Sequence, residues 1–189
     1  MKLIAESKAL VTLRLIKGTL LSNVAPYEQH AQPCSTCDTP GTCCLDEHFV
    51  NVRISRLEAT GIANVLESLP TIRRAAVKER IDNSAAELIS RSSGNPTFAC
   101  PLYEQGTGCL VHNEAKPVPC MIHACYDSRE DLPPDELADS AELAIDELNS
   151  RAYGRRVPVD PLPIAVQAAV LRARRIHAIT NPARNQPAT

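Results

Sequence analysis

The sequence predicts a mostly α-helical protein: an irregular cysteine-rich metal-binding core wrapped by about five helices, with little or no sheet. Three observations predict it. Apolar residues recur at helical spacing in several long stretches. The apolar set is Leu, Ile, Val and Ala, with no Trp, two Phe and four Tyr, which suits helix packing and leaves little to stack on nucleic-acid bases. The eight cysteines sit in two segments rich in proline, glycine and small polar residues, with none between positions 45 and 99.

Residues 3–22 carry Leu10, Leu13, Ile16 and Leu20 at helical spacing, with Val11, Leu15 and Leu21 widening the stripe. A loop is expected from Asn23 to Pro33. The first cysteine segment, CSTCDTPGTCC, contains Asp38, Pro40 and Gly41 and reads as turns. His48 to Ile54 alternates in the manner of one short strand. Ser55 followed by Glu58 is a capping box, so a helix starts there and ends near Pro70. A second helix runs from Thr71 to about Ser92 and stops at Gly94 and Pro96. Residues 96–119 are irregular and form a knuckle-like loop that brings Cys100 and Cys109 around. Pro119 opens a short helix through Tyr126. Residues 135–152 form an acidic amphipathic helix and 162–179 a last helix, with Ile164, Leu171 and Ile179 among its apolar positions. The tail NPARNQPAT is expected to be disordered.

This outline divides the chain into three parts: an N-terminal amphipathic helix and linker (1–33), a cysteine-cluster metal-binding domain (34–126) and a C-terminal helical extension with its tail (127–189). The net charge of −2 excludes a general polyanion binder, and the charge is uneven. Residues 127–160 hold ten acids against four bases; residues 161–189 hold four arginines and no acid. The first is a solvated helical face, the second a basic helix end. Glu6, Lys8, Arg14 and Lys17 interrupt the apolar N-terminus, so it reads as a helix of a cytoplasmic protein rather than a signal peptide or membrane span. In a reducing compartment, clustered cysteines point to metal ligation or redox chemistry rather than disulfides.

Cys34 and Cys37 form a C-x2-C pair, whose two intervening residues let both thiolates converge on one ion. Cys43 and Cys44 are adjacent, and in extended backbone they point opposite ways. One would complete the first site while the other serves a second site or packs inward. Cys100, Cys109, Cys120 and Cys125 form the second cluster. On a helix, Cys120 and His123 share a face and Cys125 points elsewhere. Sulfur is in surplus, so His123 reads as a surface or supporting residue, and His30, His48, His112 and His177 have no partner at diagnostic spacing. Soft sulfur selects zinc or iron–sulfur clusters. The stretch RLEATGIANVLESL has the look of a helix-turn-helix, but Leu57, Ile62, Val65 and Leu66 fit a core and no basic reading face follows. No phosphate loop, nucleophile elbow, H-E-x-x-H pair or dinucleotide fingerprint is present.

The pattern CSTC…TCC, then a strand and helix, then CPLYEQGTGCLVHNEAKPVPCMIHAC resembles the CxxCxxCC (YkgJ-like) family, a zinc- or iron-chelating cysteine-cluster domain. Cys100-Pro101, Gly108-Cys109, Lys116-Pro117, Cys120 and Cys125 fall on the family's second-half landmarks. The chain departs from the pattern in the five residues between Cys37 and Cys43, in His112 for a common tyrosine, in Met121 for a common arginine and in Lys116 for an arginine. Lysine keeps that charge and loses the planar fork. The resemblance covers about residues 34–126 and implies metal ligation by all eight cysteines: Cys34, Cys37, Cys43, Cys44, Cys100, Cys109, Cys120 and Cys125. The cofactor expected is a [4Fe–4S] cluster, with zinc as the alternative; the Cys100-Pro101 step and the family's iron association tilt toward iron. The family also occurs in flagellin lysine methylases, so a metal-dependent protein-modifying enzyme is one alternative. A structural-zinc adaptor that meets a protein partner through the helix at 135–152 is another. Neither membrane nor nucleic acid is expected as a partner.

Overall fold

The structure is a computed structural model that describes residues 2–32, 36–48, 50–91, 97–126 and 128–180. It is mostly α-helical, as the composition and periodicity predict. Five helices pair across the chain. α1 (Glu6–Glu28) packs on α6 (Asp135–Tyr153), while α3 (Arg56–Glu67) and α4 (Thr71–Ser90) pack on α7 (Leu162–Thr180). The described residues also form two one-turn helices, α2 (Thr42–Leu45) and α5 (Val118–Met121), and a 3-10 turn at Arg129–Asp131. The sheet content is three antiparallel two-residue ladders. β1 (Ala31–Gln32) pairs with β5 (Cys125–Tyr126), β2 (Arg53–Ile54) with β6 (Asp160–Pro161), and β3 (Tyr103–Glu104) with β4 (Gly108–Cys109).

Two apolar cores result. The first joins α3, α4 and α7 through Ile62, Leu66, Val77, Ile81, Leu162 and Val166, and takes Phe98, Leu102 and Val111 from the second cysteine segment. The second joins α1 and α6 through Leu13, Leu20, Val24, Ile145 and Leu148, and takes Val118 and Met121 from α5. Leu57, fully buried, extends α3 into that second core. The second core therefore draws on residues from either side of positions 33 and 126, and the first on residues from either side of 126. The cysteine segments lie between them, anchored to both.

α1 runs six residues further than its stripe predicts, through the expected loop at Asn23. Val24 is completely buried and extends the packed face Ala9–Leu13–Lys17–Leu20 by one turn. Pro26 stands close enough to the helix end that its missing N–H breaks little. The widening residues Val11, Leu15 and Leu21 are exposed, and the buried position between Leu13 and Leu20 belongs to Lys17 instead. The expected strand at 48–54 shrinks to Arg53–Ile54. Upstream, the Val50 carbonyl accepts from Phe98 N (2.8 Å), which ties this stretch to the second cysteine segment by an isolated bond rather than a ladder. Phe49, the expected stops Gly94 and Pro96, and the tail 181–189 lie outside the described residues.

The capping box at α3 forms as read. Ser55 Oγ accepts from Glu58 N (3.2 Å), and Glu58 Oε2 accepts from Ser55 N (3.1 Å). Substituting Ser55→Ala is expected to cost about 1–2 kcal/mol, the upper range for a cap because this one is buried. Chemical denaturation checks it, and a cost below about 0.5 kcal/mol contradicts it. The residues thought to mimic a helix-turn-helix are core: Leu57, Ile62 and Leu66 are buried and Val65 packs against them. Among the described residues, no helix is long and apolar enough to cross a membrane.

Candidate metal centre

The first cysteine segment is shaped by Gly41. Its φ of +86° lies in the left-handed region, and a Cβ there would collide with the ring of Tyr103. Glycine is required on both counts. Its carbonyl then accepts from Cys44 N (2.8 Å) and Leu45 N (2.9 Å), closing the single turn of α2. Cys43 and Cys44 are thus helical neighbours, not opposed residues of an extended chain. That turn directs Cys44 toward the second segment, and its thiol is hydrogen-bonded to the Cys43 sulfur.

The two cysteine segments are joined through the backbone, with Cys100 N donating to the Cys44 carbonyl at 2.7 Å. The β3–β4 hairpin turns through Gly106 and Gly108, both at positive φ, and brings Cys109 back beside Cys100. This is the knuckle expected from the sequence. Its amides point inward: Leu102 N and Tyr103 N donate to the Cys100 sulfur, and Val111 N to the Cys109 sulfur. From α4, Arg80 Nε holds the Pro101 carbonyl (3.1 Å). Cys120 arrives on α5, which ends at Met121. The expected helix through Tyr126 is cut short because Cys125–Tyr126 is drawn into pairing with Ala31–Gln32.

Cys44, Cys100, Cys109 and Cys120 therefore converge. Every one of their six pairings lies within electrostatic reach. All four are half-buried free thiols. Burial, the larger cause, and mutual repulsion push Cys100 and Cys120 up to about 12 and Cys44 further still. Cys109 is raised by burial, against which its Val111 N–H bond and the Lys116 ammonium act. Lys116 also favours the thiolate of Cys120. As they stand, no three histidine, cysteine, aspartate or glutamate side chains among the described residues form a group that could hold a metal ion. The quartet is a gathered donor set, not a closed coordination shell.

The other predicted ligands are placed differently. Cys43 sits against Cys44. The Cys37 sulfur is 3.9 Å from Thr39 Oγ1. Cys125 faces Gln32 across the β1–β5 ladder. Cys34 lies outside the described residues. His123 and His112 are exposed.

Sequence reading missed what supports this site. Lys17 Nζ, buried on α1, sits 3.0 Å from Glu58 Oε1 and donates to the Lys116 carbonyl at 2.8 Å. Glu58 Oε1 also accepts from Val118 N at 3.4 Å. The one sequence signal was a lysine at a stripe position where an apolar residue is expected.

The described residues define a class by their architecture: a mostly α-helical protein. No protein-family model, curated protein or solved structure matches this chain. The YkgJ-like resemblance accordingly stands on the cysteine spacing.

Proposed function

We propose that this chain is a cysteine-ligated metal-binding protein of YkgJ-like type, with Cys44, Cys100, Cys109 and Cys120 as its principal ligands. One observation carries the reading: four thiols distant in sequence all lie within electrostatic reach of one another. Four half-buried thiols repel one another on ionising, and as neutral groups they gain only the packing of small apolar side chains. A soft cation bound by their thiolates supplies the missing attraction. The donor chemistry fits an iron–sulfur cluster or zinc. Amides donating to Cys100 and Cys109 sulfur, and Lys116 nearby, would spread the negative charge that four thiolates accumulate. The Cys100-Pro101 step and the resemblance favour the cluster. Four cysteines fill the coordination positions of either group, so the site reads as a holding site rather than a catalytic one.

Anaerobic purification, followed by metal and sulfide analysis and a visible spectrum, tests this. The expected product is brown, with about four irons per chain. A colourless protein with about one zinc per chain moves the assignment to the alternative. Cys109→Ser is expected to abolish loading and Cys37→Ser to preserve it. A chain supplied with both metals that retains neither ends the proposal. Roughly two metal centres per chain would bring Cys37, Cys43 and Cys125 into the ligand set.

A further inference from the structure

We propose that the buried Lys17–Glu58 pair is a positioning clamp that sets where Cys120 stands relative to the other three thiols. The inference deepens the reading above and, in its metal arm, rests on it. The segment Lys116-Pro117-Val118-Pro119-Cys120 has few ways to hold itself. Pro117 and Pro119 have no N–H to donate. The Pro117 carbonyl is already used by Cys120 N and Met121 N, both at 3.0 Å. Among the segment's other groups, the Lys116 carbonyl and the Val118 N–H flank Pro117 on either side. One partner of the ion pair takes each: Lys17 Nζ the carbonyl and Glu58 Oε1 the amide. Glu58 is itself fixed by both hydrogen bonds of the α3 capping box and by Ser55 Oγ (3.1 Å). Lys17 is 8% and Glu58 5% exposed, so water does not substitute for either.

A buried ion pair is a weak source of stability, since apolar replacements of similar volume often fold as well. What such replacements cannot do is satisfy one carbonyl and one amide on opposite sides of a proline. The pair thereby connects α1 and α3, neither of which carries a cysteine, to the ligand turn. The prolines restrict the turn's φ angles, and the clamp anchors it at the end nearer the knuckle.

The test uses Lys17→Met, which keeps the aliphatic stem, and the double variant Lys17→Met/Glu58→Gln. The double variant leaves no unpaired buried charge and serves if the single variant does not fold. Timed iodoacetamide labelling of the metal-free protein, read site by site by mass spectrometry, is the first readout. Cys120 is expected to react about tenfold faster or more, with Cys44, Cys100 and Cys109 within about twofold of wild type. Cobalt(II) titration, followed by the sulfur-to-cobalt absorption, is the second, with affinity expected to fall about 10–100-fold. Equal acceleration of all four thiols would mean general loosening and overturns the clamp, as does an unchanged Cys120 rate. Selective exposure of Cys120 in a protein whose wild type takes up neither iron, zinc nor cobalt sustains the clamp and rejects the metal reading.

Discussion

Metal-free protein is expected to lose roughly 3 kcal/mol of stability between pH 8 and pH 10, from Cys100 and Cys120 at about 1.4 kcal/mol each. Cys100 and Cys120 ionise near 12 in the folded chain and Cys44 higher, against 9.0 for an ordinary cysteine. In the unfolded chain they ionise near the ordinary value. Above it the unfolded state holds fewer protons than the folded state, so stability falls as pH rises. The contribution is fully present below pH 9 and is withdrawn progressively until the folded thiols themselves ionise near 12 and beyond. Cys109, also raised, pulls in the same direction. Denaturant midpoints of chelator-treated, reduced protein at pH 8, 9 and 10 measure it. Cys120→Ser should flatten the slope by about 1.4 kcal/mol over that range, one thiol's share. A midpoint that holds or rises toward pH 10 would show that the thiols do not share a buried site. Loaded protein should lack this slope, because a metal ion holds the thiols as thiolates in the folded state.

Gly41→Ala is expected to cost about 2–5 kcal/mol. Two penalties act together: a non-glycine residue in the left-handed region costs about 1–2 kcal/mol, and forcing a methyl group into the Tyr103 ring costs about 1–3 kcal/mol. The damage should centre on the site. Gly41 closes α2, α2 aims Cys44, and the Cys44 carbonyl receives the amide of Cys100. Loosening this corner therefore separates the two cysteine segments as well as weakening the fold. Unfolding free energies of Gly41→Ala, Tyr103→Leu and the double variant resolve the two penalties. The double variant should recover the collision cost and keep the backbone cost. A loss under about 0.5 kcal/mol for Gly41→Ala would mean that Tyr103 does not lie against this turn.

Local signals were legible where local physics decides. Ser55 and Glu58 are three residues apart, so the capping box could be read directly, and it forms. The irregular stretch 96–119 could be read as a knuckle-like loop, and Gly106 and Gly108 adopt the positive φ on which its hairpin turns. Elsewhere a local reading reached its limit. Asn23 to Pro33 looked like a loop, yet burying Val24 carried the first helix on to Glu28. A run of alternating residues looked like a strand, yet only Arg53 and Ile54 entered a ladder, with residues over a hundred positions away. Cys43 and Cys44 looked opposed because an extended chain was assumed, and a glycine bend made them helical.

Helix content, the caps and the pairing of cysteines with turn residues were written into the linear chain, because each depends on side chains within a few positions of one another. Which four thiols meet, and that a lysine on the first helix with a glutamate on the third would hold the turn carrying the last of them, was decided by tertiary packing. Those choices depend on groups some sixty to a hundred residues apart. Only the joint burial of two apolar cores brings such groups to hydrogen-bonding distance, and no spacing rule along the chain encodes that.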